Sequence, residues 1–225
     1  MSTVTARSEA LEKTIQQLQR QFGQQVIAAA SRLSQAEVLH TGVTALDTAL
    51  GGGLAVGQIS ELRALPGHGA TSLAMRLIAS AQAAGRIGIF MDLADAFDAS
   101  AAHHAHVDFM RSHFLLVQPP SPTDAFIFVQ AVLHARIPGI VIVRPHPQQP
   151  LPQLPWSRLK GALASLPLVV VVIQPPASTE IEAAGTRLLL KRVSGDNTVQ
   201  IRILRHPLGK AGQVVRVPLL PEGSR

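Results

Sequence analysis

The chain has 225 residues, of which 47% are hydrophobic and 15% charged. That is apolar material for one domain of ordinary size with an arm or tail, and it is far from the composition of a disordered chain. It contains no cysteine, which excludes disulfides, thiolate metal sites and cysteine nucleophiles. With no Tyr, one Trp and seven Phe, there is little for a surface that stacks on nucleic-acid bases.

The net charge of +6 is unevenly placed: residues 187–225 hold eight basic residues against Asp196 and Glu222, and the rest of the chain is balanced. Arg outnumbers Lys 16 to 4, which suits bidentate contacts with phosphate or carboxylate. An anionic partner is expected at this end. The longest apolar run, Leu168 to Ile173, is far too short to span a bilayer. The first twenty residues are polar, so export is not expected and a cytoplasmic location without a membrane partner is.

In chain order, Ser8 can cap a helix with Leu11, Ile15, Leu18 and Phe22 on one narrow seam. Such a seam fits either another surface or the protein's own core. Residues 1–38 are therefore read as an assembly arm, residues 39–218 as the core and residues 219–225 as a tail. In the core, a short helix ends at Gly51-Gly52-Gly53, Ile59 to Ala64 reads as a strand, and Thr71 to Ala84 is an apolar helix stopped by Gly85. Ile87 to Asp92 is a strand, Asp98 to Met110 a helix, Phe114 to Val117 a strand, Thr123 to Ala135 a helix and Ile140 to Val143 a buried strand. Pro145, Pro147, Pro150, Pro152 and Pro155 make a stiff extended loop. A helix over Ser157 to Ser165 leads to the strand Leu168 to Ile173. The turn Ser194-Gly195-Asp196-Asn197 then joins two strands of a hairpin, continued by Gln213 to Val217. The pattern predicts an α/β fold, a mostly parallel sheet with helices on both faces finished by an antiparallel hairpin or meander.

Strand, glycine-bearing turn and apolar helix are the setting of a phosphate-cradling loop, which needs Gly-x4-Gly-Lys-Ser/Thr. Here the stretch is Ala64-Leu65-Pro66-Gly67-His68-Gly69-Ala70-Thr71-Ser72. The second glycine and the hydroxyl are present, and the lysine position is Ala70. Together with Thr41-Gly42-Val43-Thr44-Ala45-Leu46-Asp47, Gly57-Gln58-Ile59-Ser60-Glu61, Phe90-Met91-Asp92 and Val107-Asp108, this stretch resembles the RecA recombinase family. The resemblance runs from about residue 8 to 144 and resumes near Gln174.

The resemblance also implies what has been lost. The glutamate that activates water falls at Ala94, the aromatic that stacks on adenine at Ala101, and the acid that assists Mg²⁺ at Arg144. It thus implies a vestigial loop (Gly67, Gly69, Ala70, Thr71, Ser72), no nucleotide or metal cofactor, and no catalytic residues. Among RecA-like proteins the chain looks most like the ImuA family, related to the SulA division inhibitors. That likeness implies a non-catalytic accessory protein in damage-induced (SOS) translesion synthesis and mutagenesis. Its partners would be an ImuB-like relative of Y-family polymerases, an error-prone replicative-type polymerase subunit, and the RecA filament or DNA. A division inhibitor and a residual ATPase are the alternatives. The seam Leu11, Ile15, Leu18 and Phe22 is the candidate for association. Arg187, Lys191, Arg192, Arg202, Arg205 and Lys210 are the candidates for contact with DNA or an acidic partner.

Overall fold

A computed structural model describes residues 13, 14, 16, 17, 20, 37–110, 112–146, 156–207 and 211–218. The chain divides into two units, Met1–Ala36 and Glu37–Arg225. In the first, Lys13, Thr14, Gln16, Gln17 and Arg20 are helical and exposed, and the expected seam of Leu11, Ile15, Leu18 and Phe22 lies outside the described residues, as does Lys210.

The second unit runs β1 (Val38–Leu39), α1 (Thr44–Leu50), β2 (Leu54–Ala55), β3 (Ile59–Ala64), α2 (Ala70–Ala83), β4 (Ile87–Asp92), α3 (Ala99–His104) and β5 (Phe114–Val117). It continues through α4 (Pro122–Ala135), β6 (Gly139–Arg144), α5 (Trp156–Leu163), β7 (Leu168–Gln174), β8 (Thr186–Arg192), β9 (Thr198–Arg205) and β10 (Val214–Pro218). Among the described residues eight strands form one sheet, in the order β10-β9-β8-β3-β7-β6-β4-β5, while β1 and β2 pair separately. The strands from β8 to β5 in that order are parallel, and β9 and β10 are antiparallel additions. No described helix is long and apolar enough to cross a membrane.

The central strands are buried along their whole length, as in β7 with its Val169-Val170-Val171-Val172 run; a parallel sheet covered on both faces demands such runs. Alternation along each strand then sorts the side chains into two cores. Leu62, Phe90, Ile142, Val171, Leu188 and Ile201 face α1 and α2. Ile89, Val141, Val143, Val170 and Val172 face α4 and α5.

The helix ends follow local chemistry. Gly85, at φ 70°, closes α2 with the Arg86 N–H donating to the Ala81 carbonyl at 2.9 Å. Ser121 caps α4 by accepting from the Asp124 N–H, with Pro122 at the first turn. Asp98 caps α3 in the same way through the Ala101 N–H. The expected continuation of α3 to Met110 is corrected: it stops at His104. The Gln82 side chain grips the Asp108 backbone, donating to its carbonyl at 2.7 Å and accepting from its N–H at 2.8 Å, and His106 takes φ 61°. A tertiary clamp overrides helical propensity there.

The joint between β3 and β8 is polar. Glu61, fully buried, lies directly opposite Arg187 in the parallel register, and Arg63 lies opposite Gln174. The Glu61 carboxylate accepts from Arg63 Nη1 at 2.6 Å, from Arg187 Nε at 2.5 Å and from the Gln174 side-chain amide. Both guanidinium groups also hold the segment 175–185 that carries the chain from β7 to β8. Arg63 donates to the carbonyls of Pro176 and Ser178, and Arg187 donates to the Ile181 carbonyl and the Glu180 carboxylate. Removing the shared carboxylate leaves two buried cations without their central counter-charge. Glu61→Gln is expected to lower stability by about 3–5 kcal/mol in urea unfolding; a loss below about 1 kcal/mol would mean that water or other groups already solvate these guanidiniums.

Candidate functional site

The glycine-bearing loop joins the carboxyl end of β3 to α2, which is where α/β sheets place ligands. Gly67 and Gly69 take φ 77° and 86°, left-handed values that a side chain at either position would strain. A Cβ on Gly67 would have nothing within 4 Å, so it is the backbone turn, and not crowding, that asks for glycine. Gly69 precedes α2 with no side-chain cap, which leaves the first N–H groups of the helix without intrahelical acceptors.

These groups open into a cleft of about 390 Å³, bordered by Gly67, Thr71, Arg144, Gln174, Arg192 and Asn197 among others. Among the described residues its charged lining is Arg144 and Arg192, with no carboxylate. Where a lysine would reach the outer phosphates there is Ala70, buried in the core. His68 does not border this cleft; it lines a neighbouring crevice with the hairpin residues 192–197.

Arg144 changes the chemistry most. It ends β6 opposite Asp92 at the end of β4, in parallel register, so both side chains rise on the α2 side of the sheet. Its guanidinium donates to the Thr71 hydroxyl, the group that would hold a metal ion in a working phosphate loop. Burial pushes the Arg144 guanidinium below its ordinary value, with the Asp92 carboxylate opposing the shift. Asp92 in turn accepts backbone N–H groups from Ala94 at 3.1 Å, Ala96 at 2.7 Å and Phe97 at 2.7 Å. A carboxylate spent on three amides organises the loop after β4.

These residues do not fit a magnesium–nucleotide complex. The hydroxyl oxygen accepts from a guanidinium, the carboxylate is engaged by amides, and the ammonium position carries a methyl group. Among the described residues no three His, Asp or Glu side chains are placed to hold a metal ion. His113 pairs with Asp108 at 2.6 Å, and the backbone N–H of Met110, the largest influence, together with that histidine holds the Asp108 carboxyl below its ordinary value.

The described basic residues of the C-terminal region do not all share one patch. Arg187 is buried in the Glu61 cluster, a correction to its reading as a surface contact: its counter-charge lies on a strand that only the fold brings alongside. Arg192 is exposed and borders the cleft beside the loop. Arg205 is exposed and donates to the Glu182 carbonyl at 3.0 Å. Lys191 and Arg202 are exposed on β8 and β9. Arg216, on β10, was not among the candidates, although its alternation with Val215 and Val217 in the sequence places it on the outward side. Trp156 opens α5, half-buried and edge-on to Phe126 at 6.4 Å; it packs against the second core.

The RecA N-terminal domain model matches residues 9–145. Protein RecA of Chloroherpeton thalassium is 35% identical over 204 residues, 88% of this chain and 54% of that protein. Protein RecA of Synechocystis sp. is 31% identical over 144 residues, 63% of this chain and 40% of that protein. Protein RecA of Thermosynechococcus vestitus is 34% identical over 142 residues, 61% of this chain and 39% of that protein. The chain thus spans between two fifths and just over half of the length of these curated relatives.

If Arg144 serves Thr71 as an internal cation, the two side chains are energetically coupled. A double-mutant cycle of Thr71→Ala and Arg144→Ala, read by urea unfolding, is expected to give a coupling of about 1 kcal/mol. Strict additivity would remove the contact from the account.

Proposed function

Because the chain belongs to the RecA N-terminal domain family, its departures from that family's chemistry are the informative part, and we propose that it is a non-catalytic RecA-like accessory protein. In this reading it acts in damage-induced translesion synthesis, as an adaptor for an error-prone polymerase complex of the kind that the ImuA family joins. Its partners are an ImuB-like polymerase relative and a replicative-type error-prone subunit, with the RecA filament or DNA as the surface to which they are brought. The observation that carries the reading is the Arg144–Thr71 contact beside an amide-bound Asp92. A positioned base contributes about 10²–10⁴ in rate, and the corresponding position is Ala94. A scaffold retained around a site emptied in this way serves binding to other macromolecules.

The cationic cleft supports a second reading, nucleotide or anion binding without turnover, since Arg144, Arg192 and the uncapped start of α2 all favour negative charge there. A division inhibitor related to the SulA proteins is a third reading, carried by resemblance alone.

Cells lacking the gene are expected to lose most damage-induced mutations while retaining constitutive repair. A plasmid copy carrying Thr71→Ala should restore mutagenesis, and one carrying Leu18→Asp should not. Rescue that requires Thr71 would favour the nucleotide reading. Filamentation on expression without damage would favour the division inhibitor, and normal mutagenesis in the deletion strain would overturn the adaptor.

A further inference from the structure

The sheet is covered unevenly. On the α4–α5 side, those helices and the segment 175–185 bury β3 to β7 and the base of β8. Beyond this, none of the side chains of β8, β9 or β10 enters that core. The strand registers place Leu189, Arg202 and Val214 in one cross-strand row on this face, and Lys191, Gln200 and Arg216 in the next. Leu204 follows on β9 at 37% exposure, and Val214 is 43% exposed. Among the described residues, three strands of a sheet thus show one face with no helix on it.

That face is patterned. Neighbouring strands lie about 4.8 Å apart and alternate residues about 7 Å along a strand, so the backbone positions of Lys191, Arg202 and Arg216 form a triangle with edges of about 8–10 Å. Arg216, on the edge strand, also borders a groove beside α1. No carboxylate stands in either row. Glu180 and Glu182 lie at the base of β8, where Glu180 is paired with Arg187. Leu189 and Val214 flank Arg202 in its row, Leu204 follows Arg202 on β9 at the register shift toward Arg205, and among the described residues of these two rows there is no aromatic ring.

We infer that this face of β8–β10 docks an acidic amphipathic helix of a partner protein. Sheets in α/β domains bury their faces under helices, and residues seven apart on a helix recur every 10.5 Å or so on one face, close to the spacing of the cations. A partner helix with acidic residues at such intervals and leucine-like residues between them satisfies both the charge and the aliphatic surface. Single-stranded nucleic acid would use the charge but gain nothing from Leu204 and Val214, and it finds no ring to stack on. The inference stands on charge and register, independently of the translesion reading, and its outcome leaves that reading to its own genetic test.

The test uses the full chain and three fluorescein-labelled probes in an anisotropy titration. One is an 18-residue Glu/Leu peptide with leucines at helical spacing, another has the same composition with the leucine stripe scrambled, and the third is an 18-nucleotide single-stranded DNA. The striped peptide is expected to bind saturably and about tenfold tighter than the scrambled one. K191E/R202E should weaken it about tenfold, because two exposed charge pairs become repulsive, and L204Q should weaken it too. R158E/K160E, an equal charge change at exposed positions of α5, should not. Thermal melting checks each fold, and K191Q/R202Q replaces the reversal variant if the latter melts early. Equal binding of the two peptides, indifference to K191E/R202E or K191Q/R202Q, or absence of saturable binding overturns the proposal. So does DNA binding that is tighter than peptide binding and is lost in these variants, which would make the face a nucleic-acid surface.

Discussion

The second unit depends on a carboxylate that water never reaches. Glu61 stands on the central strand and draws together Arg63, Arg187 and Gln174. With Glu180 the cluster holds two acids and two guanidiniums, each paired, which is the condition under which buried charge is tolerable. Its position matters more than its net energy. The two arginines lash the segment 175–185 across β3, and only that crossing allows β8 to lie parallel beside β3 and carry β9 and β10 outward. An apolar cluster of similar volume could match the stability, but it would not specify where the carbonyls of Pro176, Ser178 and Ile181 must sit.

The same strand ends in the phosphate-loop turn, so the Glu61 joint and the candidate site share one support. Gly67 and Gly69 keep the left-handed turn, and α2 keeps its uncapped start. The chemistry around this geometry has reversed sign. A cation projects from the end of β6 where the family resemblance implies an acid, and it is satisfied internally by the Thr71 hydroxyl and the field of Asp92. Asp92 itself closes the loop after β4 by accepting three amides. The Thr71 hydroxyl meets a side-chain cation, and the Asp92 carboxylate meets fixed backbone amides.

Much of this could be read from residue order. The β-branched run Leu168–Ile173, the strand Ile87–Asp92 and the hairpin turn at Ser194–Asn197 announced themselves because burial on both faces and tight turns leave strong local signatures. The missing lysine was equally plain, since Ala70 stands where the phosphate-loop pattern has an ammonium. What was missed depends on distance in the chain. The pairing of Val38–Leu39 with Leu54–Ala55 is too short for any periodicity to show. The early end of α3 is imposed by Gln82, and the burial of Arg187 by a glutamate 126 residues away. The role of Arg144 required both the β4–β6 register and the approach of α2; its sequence showed a lost acid, while the gain of an internal cation emerged only in three dimensions.

The most direct measurement of the central claim is isothermal titration of the purified full chain with ATP and magnesium, in parallel with a phosphate-release assay. With Thr71 held by Arg144 and no ammonium at position 70, no saturable heat and no phosphate above the protein-free rate are expected. Saturable magnesium-dependent binding accompanied by turnover that Thr71→Ala abolishes would contradict the account and restore the loop as a working site.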